Sequence, residues 1–129
     1  MSEPVMNPVV WFEIYVQDMV RARAFYETVL GVKLSKIDQP DDSPLEMWAF
    51  PMHEEGGGSS GALAHVADMP SGGNSTLVYF NCADCAVEAA RVEAAGGKLL
   101  RGKISIGEHG YVAHAHDTEG NMIGFHSMN

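Results

Sequence analysis

"VVWFEIYVQDMVRARAFYETVLG", residues 9–31, is the stretch whose reading decides the fold. Val10, Phe12, Ile14 and Val16 fall on one side of an alternating segment. Trp11, Glu13, Tyr15 and Gln17 fall on the other. Period-2 alternation rich in β-branched and aromatic residues predicts a strand over Val9–Gln17. One face is greasy and the other aromatic and polar, so the strand divides a packed layer from water or a ligand. Asp18 then offers a carboxylate to the first free N–H groups of a helix. Ala22, Phe25, Tyr26, Val29 and Leu30 follow a helical period, and Gly31 supplies the left-handed residue that ends it.

The same plan returns in "STLVYFNCADCAVEAARVEAAGG", residues 75–97. Val78, Phe80 and Cys82 share one face, and Leu77, Tyr79 and Asn81 the other. Asp84 caps, residues 86–95 are helical, and Gly96-Gly97 stop the helix. The offset is 66 for Asp18/Asp84 (84 − 18) and for Gly31/Gly97 (97 − 31). Downstream of the first copy, "VKLSKI", "LEMWAF" and "GALAHVA" read as strands. Downstream of the second, "KLLRG", "GYVAHAHD" and "NMIGFHS" do, the last two joined by the turn "DTEGN". Each half is therefore βαβββ, module one at about residues 8–68 and module two at about 75–127. The expected class is α+β, a single domain whose cupped mixed sheet carries helices outside. One half covers a single sheet face with its helix and leaves the other bare. Two halves can bring their bare faces together as a concave site.

With 17 Asp and Glu against 8 Lys and Arg, the net charge is −9. Such a surface repels phosphate backbones and anionic lipid, which argues against nucleic acid and membrane partners. A small-molecule ligand fits better. The N-terminal "MSEPVMNPVV" has neither a basic region nor a secretory apolar core, so a cytoplasmic protein is expected. Cys82 and Cys85 form a C-x-x-C at a strand-to-helix turn, a place where redox pairs occur. Matched to Val16 and Met19 in the first copy, they read instead as small buried hydrophobes. "EEGGGSSG" reads as a hairpin loop or a lid over ligand.

The bare face follows from the strands. The first strands contribute Trp11, Glu13, Tyr15, Leu77, Tyr79 and Asn81. If Asp117 lies opposite Asn121, then His114 lies opposite Gly124 and Val112 opposite His126. That puts His114, His116, Gly124 and His126 on one face and Ala113 and Ala115 against a helix. Carrying the offset of 66 back from His114 and His116 adds Trp48 and Phe50. Glu13, with His114 and His126, forms the candidate acid–base set, on the expectation that Trp11, Tyr15 and Tyr79 desolvate Glu13. The aromatic side chains suit a planar ligand. His114 and His116 form an H-x-H that, with Glu13 or His126, is also a candidate for a displaced divalent metal.

The stretches "YVQDMVRARAFYETVLG" and "DTEGNMIGF", with the paired βαβββ plan, resemble the vicinal oxygen chelate superfamily. Its members include glyoxalase I, bleomycin-resistance proteins and extradiol dioxygenases; more narrowly the chain is similar to small bacterial glyoxalase-like proteins. The resemblance covers roughly residues 8–127. It implies four inward metal-ligand positions, here Trp11, about Ala64 beside His65, Leu77 and Gly124, none able to ligate. It also implies a homodimer. The expectation is a metal-free cup, with no cofactor, for a small, partly aromatic or carbonyl-bearing molecule. The alternatives are a glyoxalase-type lyase or isomerase using Glu13 and a histidine, and a module that docks a peptide.

Overall fold

The computed structural model describes residues 9, 11–53, 55–73 and 76–129. The lead with Pro4 and Pro8, the placing of Val10, and residues 54, 74 and 75 of the two glycine-rich loops lie outside the described residues. The chain runs β1 (Trp11–Tyr15), α1 (Met19–Leu30), β2 (Ser35–Ile37), β3 (Glu46–Ala49), β4 (Ser60–His65), then β5 (Val78–Asn81), α2 (Cys85–Arg91), β6 (Lys98–Ser105), β7 (Tyr111–His116) and β8 (Met122–Ser127). A 3-10 turn, Gly107–His109, precedes β7. These elements build two four-stranded mixed sheets of one plan, ordered β1-β4-β3-β2 and β5-β8-β7-β6. In each, the first strand lies parallel to the last and the other neighbours are antiparallel.

The helix starts follow the capping chemistry. Asp18 accepts from Arg21 N–H at 3.1 Å and Asp84 from Ala86 N–H at 3.0 Å. The ends differ. Gly31 is left-handed, φ 67°, and Val32 N–H reaches the Glu27 carbonyl. In the second half Gly96 takes the left-handed conformation, φ 97°, and Gly97 N–H reaches the Val92 carbonyl. The structural mate of Gly31 is thus Gly96, an offset of 65 (96 − 31). Gly97 is needed for a different reason. A Cβ there would sit 2.5 Å from the His116 carbonyl oxygen and from the Phe25 ring. Regular α-helix also stops at Arg91, and residues 92–96 continue as turns rather than as the helix predicted to residue 95.

One core joins both halves. It holds Phe25, Tyr26 and Val29 of α1, Cys85 and Ala89 of α2, Ile14 and Leu63 of the first sheet, and Ala113, Ala115, Ile123 and Phe125 of the second. The small alanines of β7 lie under α2, as their alternation predicts. The edge strands β1 and β5 meet through Phe12 and Phe80, whose ring centroids are 6.0 Å apart. Phe50 and Tyr26 complete an aromatic knot with Phe80 at 5.5 and 5.8 Å.

Trp48 and Phe50 are corrections. Both pack against the helix-side core, not on the bare face. Trp48 pairs with Leu63, which pairs with Ile14, and Arg23 of α1 stacks 3.4 Å over its ring. The ladders explain the error. Tyr79–Gly124–His114 in the second sheet matches Glu13–Ala62–Ala49 in the first. The offset is 66 at β1/β5 (79 − 13), 62 at β4/β8 (124 − 62) and 65 at β3/β7 (114 − 49). Turns of unequal length absorb the differences. An offset carried one residue too far moves a strand residue to the opposite face.

The turn between β7 and β8 staples the modules. The Glu119 carboxylate accepts from Gln17 N–H at 2.9 Å, Asp18 N–H at 3.0 Å, the Arg21 guanidinium at 2.7 and 2.8 Å, and the Thr118 hydroxyl at 2.7 Å. Its side chain is fully buried. Burial alone would push its pKa up. The donors outweigh that, Arg21 first, and hold it down at about 2. Asp117 accepts from the buried Tyr26 hydroxyl at 2.6 Å. Asn121 donates to the Tyr15 carbonyl at 3.1 Å and accepts from Gly72 N–H at 2.6 Å.

Candidate functional site

The bare face of the first sheet carries Trp11, Glu13 and Tyr15 over a floor of Met47, Ala62 and Ala64. Side chains two apart on a strand stand side by side. Trp11 Nε1 donates to one Glu13 oxygen at 3.2 Å, and the Tyr15 hydroxyl donates to the other at 3.0 Å. Glu13 is thus clamped by its neighbours but exposed, not walled off from water as expected. The hydrogen bond to Glu13 raises the Tyr15 phenol pKa, with burial adding to it.

The bare face of the second sheet carries Tyr79, Val112, His114, Gly124 and His126. The register deduced from Asp117 opposite Asn121 is the one observed: His114 faces Gly124 and Val112 faces His126. Tyr79 Oη and His114 Nε2 are 2.7 Å apart. Gly124 makes that possible, since a Cβ there would lie 2.5 Å from the Tyr79 ring. His126 Nε2 donates to the His109 carbonyl at 2.7 Å, anchoring the 3-10 turn beside the face. Burial, and then the charge of Arg101, lower the His114 pKa below its ordinary 6.5, so the imidazole is neutral at pH 7.

These residues line different concavities. Glu13 and Tyr15 border a half-open hollow of about 210 Å³ at the seam between the sheets, lined also by Pro70, Ser71, Thr76, Val78 and Met122. Tyr79, His114 and His126 line an open depression of about 570 Å³ with Arg101, Ile104, Ile106 and Val112. Asn81 faces a third hollow with Pro51, His53 and the Gly56–Gly58 loop. His116 pairs with Met122 farther along β7, and Leu77 stands half-buried just before β5. So the expected set is divided: Glu13 and Tyr15 on one hollow, Tyr79, His114 and His126 on another.

The metal positions carried over from the resemblance shift as well. Gly124 pairs with Tyr79, so its counterpart is Ala62, which pairs with Glu13, and not Ala64. Of Glu13, Ala62, Tyr79 and Gly124, only Glu13 is a ligand for a hard divalent ion. His65 points to the other side of its strand and bonds the Val16 carbonyl at 2.8 Å. Among the described residues no three His, Cys, Asp or Glu side chains converge to hold an ion. The donor set does not fit a divalent metal.

Cys85 is fully buried, and Cys82, half-buried, points its thiol to the Phe80 carbonyl. The two are not bridged. Burial, reinforced by Glu88, pushes the Cys82 pKa up to about 12, against a reactive thiolate.

Two residues that sequence reasoning passes over matter here. Glu119 hides in a turn whose composition signals only a turn. Arg101 would share a face with Leu99 by simple alternation. A register shift between them breaks the alternation: Leu99 pairs with Ala115, but Arg101 pairs with His114.

Among the described residues no helix is long and apolar enough to cross a membrane. A family model, the Glyoxalase/Bleomycin resistance protein/Dioxygenase superfamily, matches residues 8–125. No curated protein matches. Among solved structures, a glyoxalase I variant from Zea mays aligns at 25% identity and TM-score 0.74, over 94% of this chain and 46% of that one. The chain thus spans about half the length of the maize protein. TnmS3, an antibiotic binding protein from Streptomyces sp. CB03234, aligns at 24% identity and TM-score 0.66, over 97% and 98% of the two chains. A glyoxalase/bleomycin resistance protein/dioxygenase family enzyme from Burkholderia phytofirmans PsJN aligns at 19% and 0.65, over 92% and 97%.

Proposed function

Because the chain belongs to the glyoxalase/bleomycin resistance protein/dioxygenase superfamily, we propose that it binds a small, partly aromatic or carbonyl-bearing molecule against its bare sheet faces, without a divalent metal. The observation that carries this reading is the Tyr79–His114 pair in an apolar, open depression. Tyr79 is 46% exposed although it is an aromatic residue on a sheet face. Its hydroxyl and the neutral imidazole can exchange donor and acceptor roles toward a ligand carbonyl, while the ring offers a stacking surface. An antibiotic-binding protein on the same fold supports small-molecule binding as a role this architecture can carry.

A glyoxalase-type lyase or isomerase would need Glu13 and a histidine on one substrate. Glu13 borders the seam cavity and His114 the depression, so binding is the better supported reading. Homodimerisation accompanies it: a second copy would cover the exposed bare faces and deepen both hollows. Sedimentation is expected to give about twice the 13.9 kDa chain mass.

Two measurements test the reading. Elemental analysis of purified protein should find far less than one nickel, zinc or iron per chain; one ion per chain contradicts it. Titration of ¹⁵N-labelled protein with acetophenone should shift the Tyr79 and His114 amides, and Tyr79→Phe should weaken the response. Shifts confined to other surfaces would defeat the assignment.

A further inference from the structure

Arg101 stands out among the arginines. The Lys and Arg ion pairs of the described residues are Arg21–Glu119, Arg23–Glu27 and Lys103–Asp84. None uses Arg101, and among the described residues its guanidinium makes no side-chain hydrogen bond, although its backbone is held in the β6–β7 ladder. Arg21 and Arg23 hold carboxylates and Arg91 holds the Val29 carbonyl, so among the described arginines Arg101 alone has its guanidinium uncommitted. It is exposed, and it lines the same depression as Tyr79, His114, Ile104, Ile106 and Val112.

Its position is built by the backbone. Leu99 pairs with Ala115 and packs on the helix-side core. Without the irregularity that follows, Arg101 would point the same way. The register shift turns it to the His114 side, and a second shift before Ile104 brings Ile104 opposite Val112. A bulge re-aims a side chain at the cost of ladder hydrogen bonds, so two in succession beside a concavity mark a shaped surface.

We infer that this depression takes a small molecule with an apolar or aromatic body and one anionic group, carboxylate or similar, received by Arg101. The inference rests on the ligand-binding reading above and names the ligand's chemistry. Arg101 presents a planar fork of donors that matches a carboxylate. The isoleucines and Val112 receive the body, and the Tyr79–His114 pair borders it with groups that donate or accept. The volume, about 570 Å³, suits a bicyclic molecule. His114 stays a hydrogen-bonding group rather than a second cation, so one fixed positive charge reads one negative charge.

The test uses the full chain and a matched pair of probes, 2-naphthoate and the neutral 2-naphthamide, followed by heteronuclear NMR titration. Naphthoate is expected to bind about tenfold tighter than naphthamide, with shifts at Tyr79, Ile104 and His114. Arg101→Gln should erase that preference while leaving naphthamide affinity within about twofold, and Arg101→Lys should restore part of it. Equal affinity of the two probes at these residues, or a preference that survives Arg101→Gln, overturns the anionic assignment and leaves the binding reading standing. Failure of both probes to shift Tyr79, Ile104 and His114 overturns both. A mutant spectrum that retains wild-type dispersion certifies that the Arg101 variants are folded.

Discussion

Glu119 is the residue on which most converges. Its carboxylate is fully buried yet holds five donor contacts, four of them to the β1–α1 connection and the first turn of α1. Removing its charge leaves Arg21 and two backbone N–H groups short of an acceptor, and breaking a buried, hydrogen-bonded pair costs about 3–5 kcal/mol. Arg21 is half exposed and recovers water, so Glu119→Gln is expected to cost somewhat less, about 2–4 kcal/mol by urea denaturation. At the same scale, Gly124→Ala would put a methyl where the Tyr79 ring lies. Tyr79 is exposed and can swing away, so melting should change little while the Tyr79–His114 bond and ligand shifts at both residues disappear. Cys82 should react negligibly with a disulfide reagent at pH 8 in the native state and rapidly once urea unfolds the chain, since its thiol is pushed up to about 12. Fast native labelling would revive the redox reading.

At the scale of elements, all eight strands and both helices are legible from alternation, caps and glycines. What the sequence hides is register. Gly96 and Gly97 read as one stop signal; in space one makes the left-handed turn and the other makes room for Phe25. That single-residue slip is why a constant offset sends Trp48, a helix-side residue under Arg23, to the bare face in place of Ala49. By contrast the β7–β8 hairpin can be registered from its own turn, because a five-residue turn fixes pairing locally. The same logic explains why Arg101 escapes notice: a bulge is a property of two strands together and leaves no mark in one. Gly97→Ala tests the separate roles of the two glycines. Its Cβ would meet a backbone carbonyl at 2.5 Å, so the variant should lose about 1–3 kcal/mol. Gly102 has open space around its Cβ position, so Gly102→Ala should lose far less.

For the whole molecule, the sequence conveys the duplication and the residue types on the bare faces, but not how the faces divide. Glu13 and His114 read as partners because both face away from the helices. Facing the same way on two sheets is not the same as meeting. The pH response also belongs to this scale. Glu119 titrates at about 2 in the folded chain and near 4.5 when unfolded. A lowered folded-state pKa adds stability that is fully present above the unfolded value and fades as pH falls toward the folded one. Stability should therefore hold down to about pH 5 and decline between about 4.5 and 2, and Glu119→Gln should flatten that decline.

The turn from Asp117 to Asn121 grips Tyr15, Gln17, Asp18 and Tyr26, all from the other half of the repeat. Nicking the linker near Gly73 would therefore give two fragments that need one another. Each alone would expose its share of the aromatic knot and precipitate, whereas co-expressed they should reassemble, reporting their reunion as a split protein does.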